Sequence, residues 1–208
     1  MDYTEHYDSP LGGITLACDG ETLTGLWFDD PKRHPAEPDR PAEAGTIPVL
    51  EETKQWLDLY FSGRDPGFTP ELKTQGTAFR KVVWEILLTI PYGKTVTYGE
   101  VAERAARQMH LPRMSAQAVG GAVGHNEIAL IIPCHRVIGA DGSLTGYAGG
   151  IERKKMLLEM EKGVREDALI VFSTAAQNSG RSRFRRTKRP SRFRNTCSDR
   201  ASQTVSPF

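Results

Sequence analysis

The spacing of apolar residues changes part-way along this chain, and that change limits the folds open to it. Near the N-terminus, Ile14-Thr15-Leu16-Ala17-Cys18 and Leu23-Thr24-Gly25-Leu26-Trp27-Phe28 flank the turn pair Asp19-Gly20. Short β-rich runs around such a pair read as an antiparallel hairpin. Further on, Phe79, Val82, Val83, Ile86, Leu87 and Ile90 fall at i, i+3, i+4, i+7 spacing, the stripe of a helix laid on a core. Strands first and helices after predict a mixed α/β (α+β) architecture. The boundary is expected between residues 65 and 76, around Pro66, Gly67 and Pro70.

Punctuating residues place the other elements. Five prolines and many charges between Asp29 and Pro48 predict a loop or connector. Leu50, Trp56, Leu57, Tyr60 and Phe61 then lie at helical spacing, with Gly63 as the stop. Thr77 can cap the helix that runs towards Pro91, and Thr97 with Glu100 has capping-box spacing for a helix through Val101, Ala105 and Ala106. After a turn at Leu111-Pro112-Arg113, Ser115 can cap a helix of small residues, Ala116 to Val123. These two form a helix-turn-helix candidate. Gly120, Gly121 and Gly124 would let the second helix lie close against either a DNA groove or another helix. The apolar run Ile128–Ile132 is expected as a strand leading into Pro133-Cys134-His135-Arg136, and a last helix carries Ile151, Met156, Leu157 and Leu158. Trp27, Trp56 and Trp84 are expected in the core.

Charge is uneven. Residues 162–208 hold 11 Lys/Arg against 3 Asp/Glu, so this segment is +8 and the preceding 161 residues are −7, within a total of +1. Past residue 173 Ser, Arg, Thr, Asn and Gln dominate, a composition too poor in apolar surface to offset ordering entropy. Residues 166–208 are therefore read as a disordered basic tail, either adding salt-sensitive DNA affinity or having no function. No apolar run reaches the length of a membrane span, and the first residues lack a signal peptide's basic and apolar regions. A cytoplasmic protein is expected. Cys18, Cys134 and Cys197 are too few and too scattered for a disulfide framework, and His6, His34, His110 and His125 lack metal-ligand spacing. No metal or cofactor is expected.

Cys134 stands apart among the thiols because His135 and Arg136 follow it. Positive charge or a proton acceptor beside a cysteine raises its thiolate fraction and suits it to nucleophilic attack. A small buried apolar residue is the other reading, and the residues alone leave both open. Neighbours on an extended chain point to opposite faces, so His135 reaches Cys134 only if the backbone bends or a water bridges them.

Asn126, then Cys134, Gly139, Gly142, the run Thr145-Gly146-Tyr147-Ala148-Gly149-Gly150 and Lys154-Lys155-Met156-Leu157-Leu158 resemble the O6-alkylguanine-DNA alkyltransferase family. The likeness runs from about Thr77 to Glu161 and extends more weakly to the N-terminal part. It implies a small ribonuclease-H-like α/β domain (1–75) before a mainly helical, winged-helix-like catalytic and DNA-binding domain (76–165). The substrate implied is double-stranded DNA bearing O6-alkylguanine, with O4-alkylthymine left open. The protein would be a monomer without cofactor that acts once per molecule, because a thioether does not revert. By the same resemblance Cys134 is the acceptor, His135 takes its proton through a water and Glu161 orients that imidazole. Asn126 braces the turn beside the motif, and Tyr98 helps rotate the nucleotide and protonates the departing guanine. Tyr147, Ala148 and Gly149 wall the alkyl pocket. Ser115, Gln117, Ala118 and Gly121 belong to a recognition helix in the minor groove, and Arg136 is counted with the DNA-contacting residues. Gln117 departs from the family, which carries an intercalating Arg there; weaker DNA affinity is expected. A damage sensor that transfers nothing and an unrelated cysteine hydrolase are the competing functions.

Overall fold

A computed structural model describes residues 3–30 and 46–163. Most of the proline-rich connector, His34, Cys197 and the basic tail lie outside the described residues.

The chain opens with a three-stranded antiparallel meander, β1 (Tyr3–Ser9), β2 (Gly12–Cys18) and β3 (Leu23–Phe28), in that spatial order. The hairpin read from the sequence is β2–β3, paired Ile14↔Phe28 to Cys18↔Leu23 with a bulge at Ala17/Cys18. β1 is an addition. It pairs with β2 from Tyr3↔Cys18 to Ser9↔Gly12, and its largely polar sequence hid it because most of its residues are only partly buried. As the central strand, β2 is buried without interruption from Ile14 to Cys18.

α1 (Pro48–Phe61) packs on this sheet through Leu50, Thr53, Trp56, Leu57 and Tyr60. Its end is a Schellman motif: Arg64 N donates to Leu59 O at 3.1 Å and Gly63 N to Tyr60 O at 2.9 Å. Gly63 sits at φ 79°, the left-handed conformation that this motif requires.

The helical part follows as α2 (Ala78–Leu88), β4 (Val96–Thr97), α3 (Tyr98–Gln108), α4 (Ala116–Gly124), a 3-10 turn (Cys134–Arg136), β5 (Val137–Ile138) and α5 (residues 151–163). Thr77, Thr97 and Ser115 accept hydrogen bonds as the N-caps of α2, α3 and α4. α3 has both halves of its capping box, Glu100 N to Thr97 Oγ1 at 3.2 Å and Thr97 N to Glu100 Oε2 at 2.7 Å. Thr97→Ala removes the acceptor for Glu100 N and the hydroxyl's bond to Glu100 Oε2, leaving only the backbone half of the box. It is expected to cost about 1–2 kcal/mol, read as a lower urea midpoint at unchanged slope. α3 and α4 make the helix-turn-helix, and Trp84 ties α2 to α4 by donating from Nε1 to Ala122 O at 3.0 Å. Trp56 and Trp84 are core residues, whereas Trp27 is only partly buried.

The strand expected over Ile128–Ile132 does not form. The segment turns instead, with Leu130 at φ 67° and a single parallel bridge from Ile128 to Leu26. Asn126 is the physical reason. Its Oδ1 accepts from Ile128 N at 3.1 Å and its Nδ2 donates to Ile132 O at 2.9 Å, satisfying locally the groups a strand would offer to a neighbour. The apolar run is buried all the same: Ile128, Leu130, Ile131 and Ile132 join one hydrophobic cluster spanning β2, β3 and all five helices. Beyond it, β4 and β5 pair in parallel, Val96↔Val137 and Thr97↔Ile138. No helix among the described residues is long and apolar enough to cross a membrane.

Candidate active site

The turn held by Asn126 delivers Cys134 to the start of the 3-10 turn, where the backbone bends as a contact between Cys134 and His135 requires. Asn126 Nδ2 also donates to Cys134 Sγ at 3.2 Å, and the thiol is 4% exposed. Burial pushes its pKa up; the Asn126 hydrogen bond and the positive charge of Lys154 oppose that shift. At rest Cys134 is therefore a thiol, because burial outweighs the rise in thiolate fraction expected from its flanking His and Arg.

His135 is wholly buried. Its Nε2 lies 2.7 Å from Glu161 Oε1, while Nδ1 has no hydrogen-bond partner among the described residues. Burial lowers the imidazole's pKa despite Glu161, so the ring is neutral near neutral pH and able to accept a proton. Burial works against the Glu161 carboxylate, but His135 and Arg136 overcome it and hold the group down to about 2.

Arg136 corrects the sequence-based expectation. It does not join a DNA-contacting surface: it is 7% exposed, with Nε 3.0 Å from Glu161 Oε2, Nη2 3.1 Å from Glu161 Oε1 and Nη1 2.6 Å from Ile90 O. Its guanidinium also lies over the Tyr92 ring at 5.5 Å. With its donors engaged on Glu161 and a carbonyl, it serves as the counter-ion of the buried Glu161 carboxylate.

Two buried polar residues escaped the sequence reading. Lys154, fully buried on α5, donates to Val137 O at 2.7 Å and to Thr145 O at 2.8 Å. It joins β5 to the glycine-rich loop and keeps a cation near Cys134. Its signal was present: Lys154, Leu157, Leu158 and Glu161 form one i, i+3, i+4, i+7 stripe, and charged residues on an apolar stripe need a buried partner. The other is Tyr60 on α1. Its hydroxyl donates to Glu161 Oε1 at 2.8 Å and lies 3.2 Å from His135 Nε2. No local pattern distinguishes it from a core aromatic.

Tyr98, at the start of α3, donates to Thr145 O at 3.0 Å. Its ring lies against Gly120, where an added Cβ would stand 3.9 Å from it. Gly120, Gly124, Gly146, Tyr147 and Ala148 line a cleft of about 520 Å³. Tyr147 is buried edge-on to His135, whereas Ala148 and Gly149 are partly exposed. On α4, Val119, Ala122 and Val123 face the core, while Ser115, Gln117, Ala118 and Gly121 are exposed. A Cβ added at Gly121 or Gly124 would meet nothing within 4 Å. These glycines therefore do not serve helix packing among the described residues, where they leave a smooth outer face.

Residues 3–74 match the family profile described as "6-O-methylguanine DNA methyltransferase, ribonuclease-like domain", and residues 78–163 match "6-O-methylguanine DNA methyltransferase, DNA binding domain". The chain is 47% identical over 174 residues to a methylated-DNA–protein-cysteine methyltransferase of Mycobacterium tuberculosis, covering 80% of this chain and 98% of the relative. A Haemophilus influenzae protein of the same name is 40% identical, with 77% and 86% covered. Among solved structures, the crystal structure of Mycobacterium tuberculosis OGT in complex with DNA superposes with a TM-score of 0.62 at 45% identity, covering 77% of this chain and 92% of that one.

Proposed function

This chain belongs to the 6-O-methylguanine DNA methyltransferase family, and from that premise we propose that Cys134 is the alkyl-accepting residue of a methylated-DNA–protein-cysteine methyltransferase. It repairs DNA by reversing the damage directly. Its substrate is O6-alkylguanine in duplex DNA, and the protein acts as a cytoplasmic monomer.

One observation carries the reading: the buried His135–Glu161 pair beside Cys134. Because Glu161 engages Nε2, Nδ1 is the nitrogen left to receive a proton. The thiol proton passes to Nδ1 through a bridging water, and Sγ attacks the alkyl carbon in line with the bond to O6. That C–O bond breaks, an S–C bond forms, and the electron pair stays on the guanine. Tyr98, whose pKa burial raises and which therefore holds its proton, releases Thr145 O and donates to the departing base; the imidazolium's proton then passes through water to the Tyr98 phenolate, leaving both groups neutral. Lys154 favours the transient thiolate. The thioether product is stable, so each molecule acts once.

The alkyl carbon is reached only after the nucleotide leaves the stack. The smooth face of α4 supports a close approach to a groove, with Gln117 filling the space of the extruded base. Division at 75/76 into ribonuclease-like and DNA-binding domains goes with this reading.

The test is the intact mass of the protein after incubation with a duplex containing O6-methylguanine. One added methyl, mapped to the Cys134 peptide, is expected. Unmodified protein bound to the lesion would instead make it a sensor, and turnover of an ester would make it a hydrolase.

The acid limb of the transfer rate gives a second check. A protonated imidazole cannot accept, so the rate should fall as pH drops below His135's ordinary 6.5, towards its lowered value. Glu161 stays ionised down to about 2 and does not set this limb. Single-turnover rates between about pH 5 and 8 measure it, and a limb lying above 7 contradicts His135 as the base.

A further inference from the structure

Tyr60 comes from the segment that matches the ribonuclease-like profile, yet its hydroxyl lies inside the acceptor site. We propose that Tyr60 is a positioning residue for alkyl transfer, holding the Glu161 carboxylate and, through it, the His135 ring in the orientation that turns Nδ1 towards Cys134. The proposal rests on the reading of Cys134, His135 and Glu161 as the acceptor relay.

Three atoms make the argument. Tyr60 Oη, Glu161 Oε1 and His135 Nε2 form a triangle with sides of 2.8, 2.7 and 3.2 Å. An unprotonated Nε2 would set its lone pair against a carboxylate oxygen at the 2.7 Å side, so Nε2 carries the hydrogen and Nδ1 the lone pair. The tyrosine proton goes to the carboxylate, which leaves the phenol's own lone pair towards Nε2–H. Tyr60 thus donates to the group that orients the base while offering an acceptor to the base itself. Glu161 is otherwise held by Arg136 and by Gly93 N at 3.0 Å on Oε2.

Packing makes the hydroxyl's position definite. The Tyr60 ring is fully buried, stacked on Trp56 at 5.1 Å and edge-on to Tyr92 and His135 at 5.8 and 6.3 Å. Trp56 is itself fixed by a hydrogen bond from Nε1 to Phe68 O at 3.0 Å. The Tyr60 phenol is held far above its ordinary pKa by burial and by Glu161, so it remains a donor throughout the working range. A positioned general base contributes about 10²–10⁴-fold to a rate, so loosening its orientation without removing it should forfeit only part of that.

A double-mutant cycle tests this. Tyr60→Phe removes one oxygen and leaves Glu161 Oε1 with donors from His135 and Arg136, so the chain should fold; thermal melting checks it. The single-turnover rate on an O6-methylguanine duplex is expected to fall about tenfold, with Kd for that duplex unchanged. In a His135→Asn background, whose own rate is already low, Tyr60→Phe should have no further effect, because no imidazole remains to be oriented. 4-Aminophenylalanine at position 60, which restores an N–H donor on the same ring, should recover most of the rate. An unchanged rate in Tyr60→Phe overturns the proposal. So does a loss that persists undiminished beside His135→Asn, since that is the behaviour of a packing residue. If His135→Asn itself transfers at the wild-type rate, the relay reading fails and takes this one with it; a null Tyr60→Phe beside a slow His135→Asn removes Tyr60 alone.

Discussion

Cys134→Ser should bind a duplex containing O6-methylguanine with unchanged affinity and take up no methyl. The substitution keeps size and shape at a 4% exposed position, so the fold and the cleft are retained. The chemistry is not. Burial already pushes the thiol up, and Asn126 and Lys154 only partly oppose that. A serine hydroxyl begins several units higher and gives a harder, less polarisable nucleophile, which attacks a saturated alkyl carbon far more slowly than sulfur even with an imidazole as general base. A loss on the order of 10⁴-fold or more is expected, as when a paired nucleophile is removed elsewhere. Transfer of labelled methyl at saturating protein measures it. Methyl appearing on Cys18 would contradict the assignment; that thiol is 0% exposed in β2, surrounded by the apolar core.

Glu161→Gln should damage stability and transfer together. The carboxylate is fully buried and accepts from Tyr60, His135, Arg136 and Gly93 N. A carboxamide brings two N–H donors among these donors and leaves the Arg136 guanidinium buried without a counter-charge. Breaking a buried pair in this way costs about 3–5 kcal/mol. The sign of the pH dependence follows from Glu161 being held at about 2 in the folded chain against an ordinary 4.5. A lowered carboxylate contributes its stability in full above 4.5 and loses it as pH falls towards 2. The gap in stability between wild type and Glu161→Gln should therefore narrow below pH 4.5, measured by urea unfolding at neutral pH and in that acid range. A gap that stays constant would show that the lost charge is not the cause.

Local patterns made much of the fold legible. The caps at Thr77, Thr97 and Ser115, the stop at Gly63 and the stripes of α1, α2 and α5 each depend on residues within a turn or two of one another, where backbone hydrogen bonds are made or ended. β4 and β5 were invisible because two-residue strands carry no period. The Ile128–Ile132 run misled because burial without alternation suits a strand and a packed turn equally, and Asn126 decided for the turn.

For the site, the sequence by itself set one thiol apart from the other two: Cys134, with its neighbouring histidine, in a run that resembles the family. Only the tertiary structure decided the protonation states and the partners. Glu161 reaches His135 from 26 residues away and Tyr60 from 75. Arg136, adjacent in sequence and expected at the DNA, turns inward to neutralise Glu161 instead. The physical reason is that a buried charge must be paired wherever its partner lies along the chain. Element positions follow from neighbours in sequence, whereas the reactivity of Cys134 follows from groups that only folding brings together.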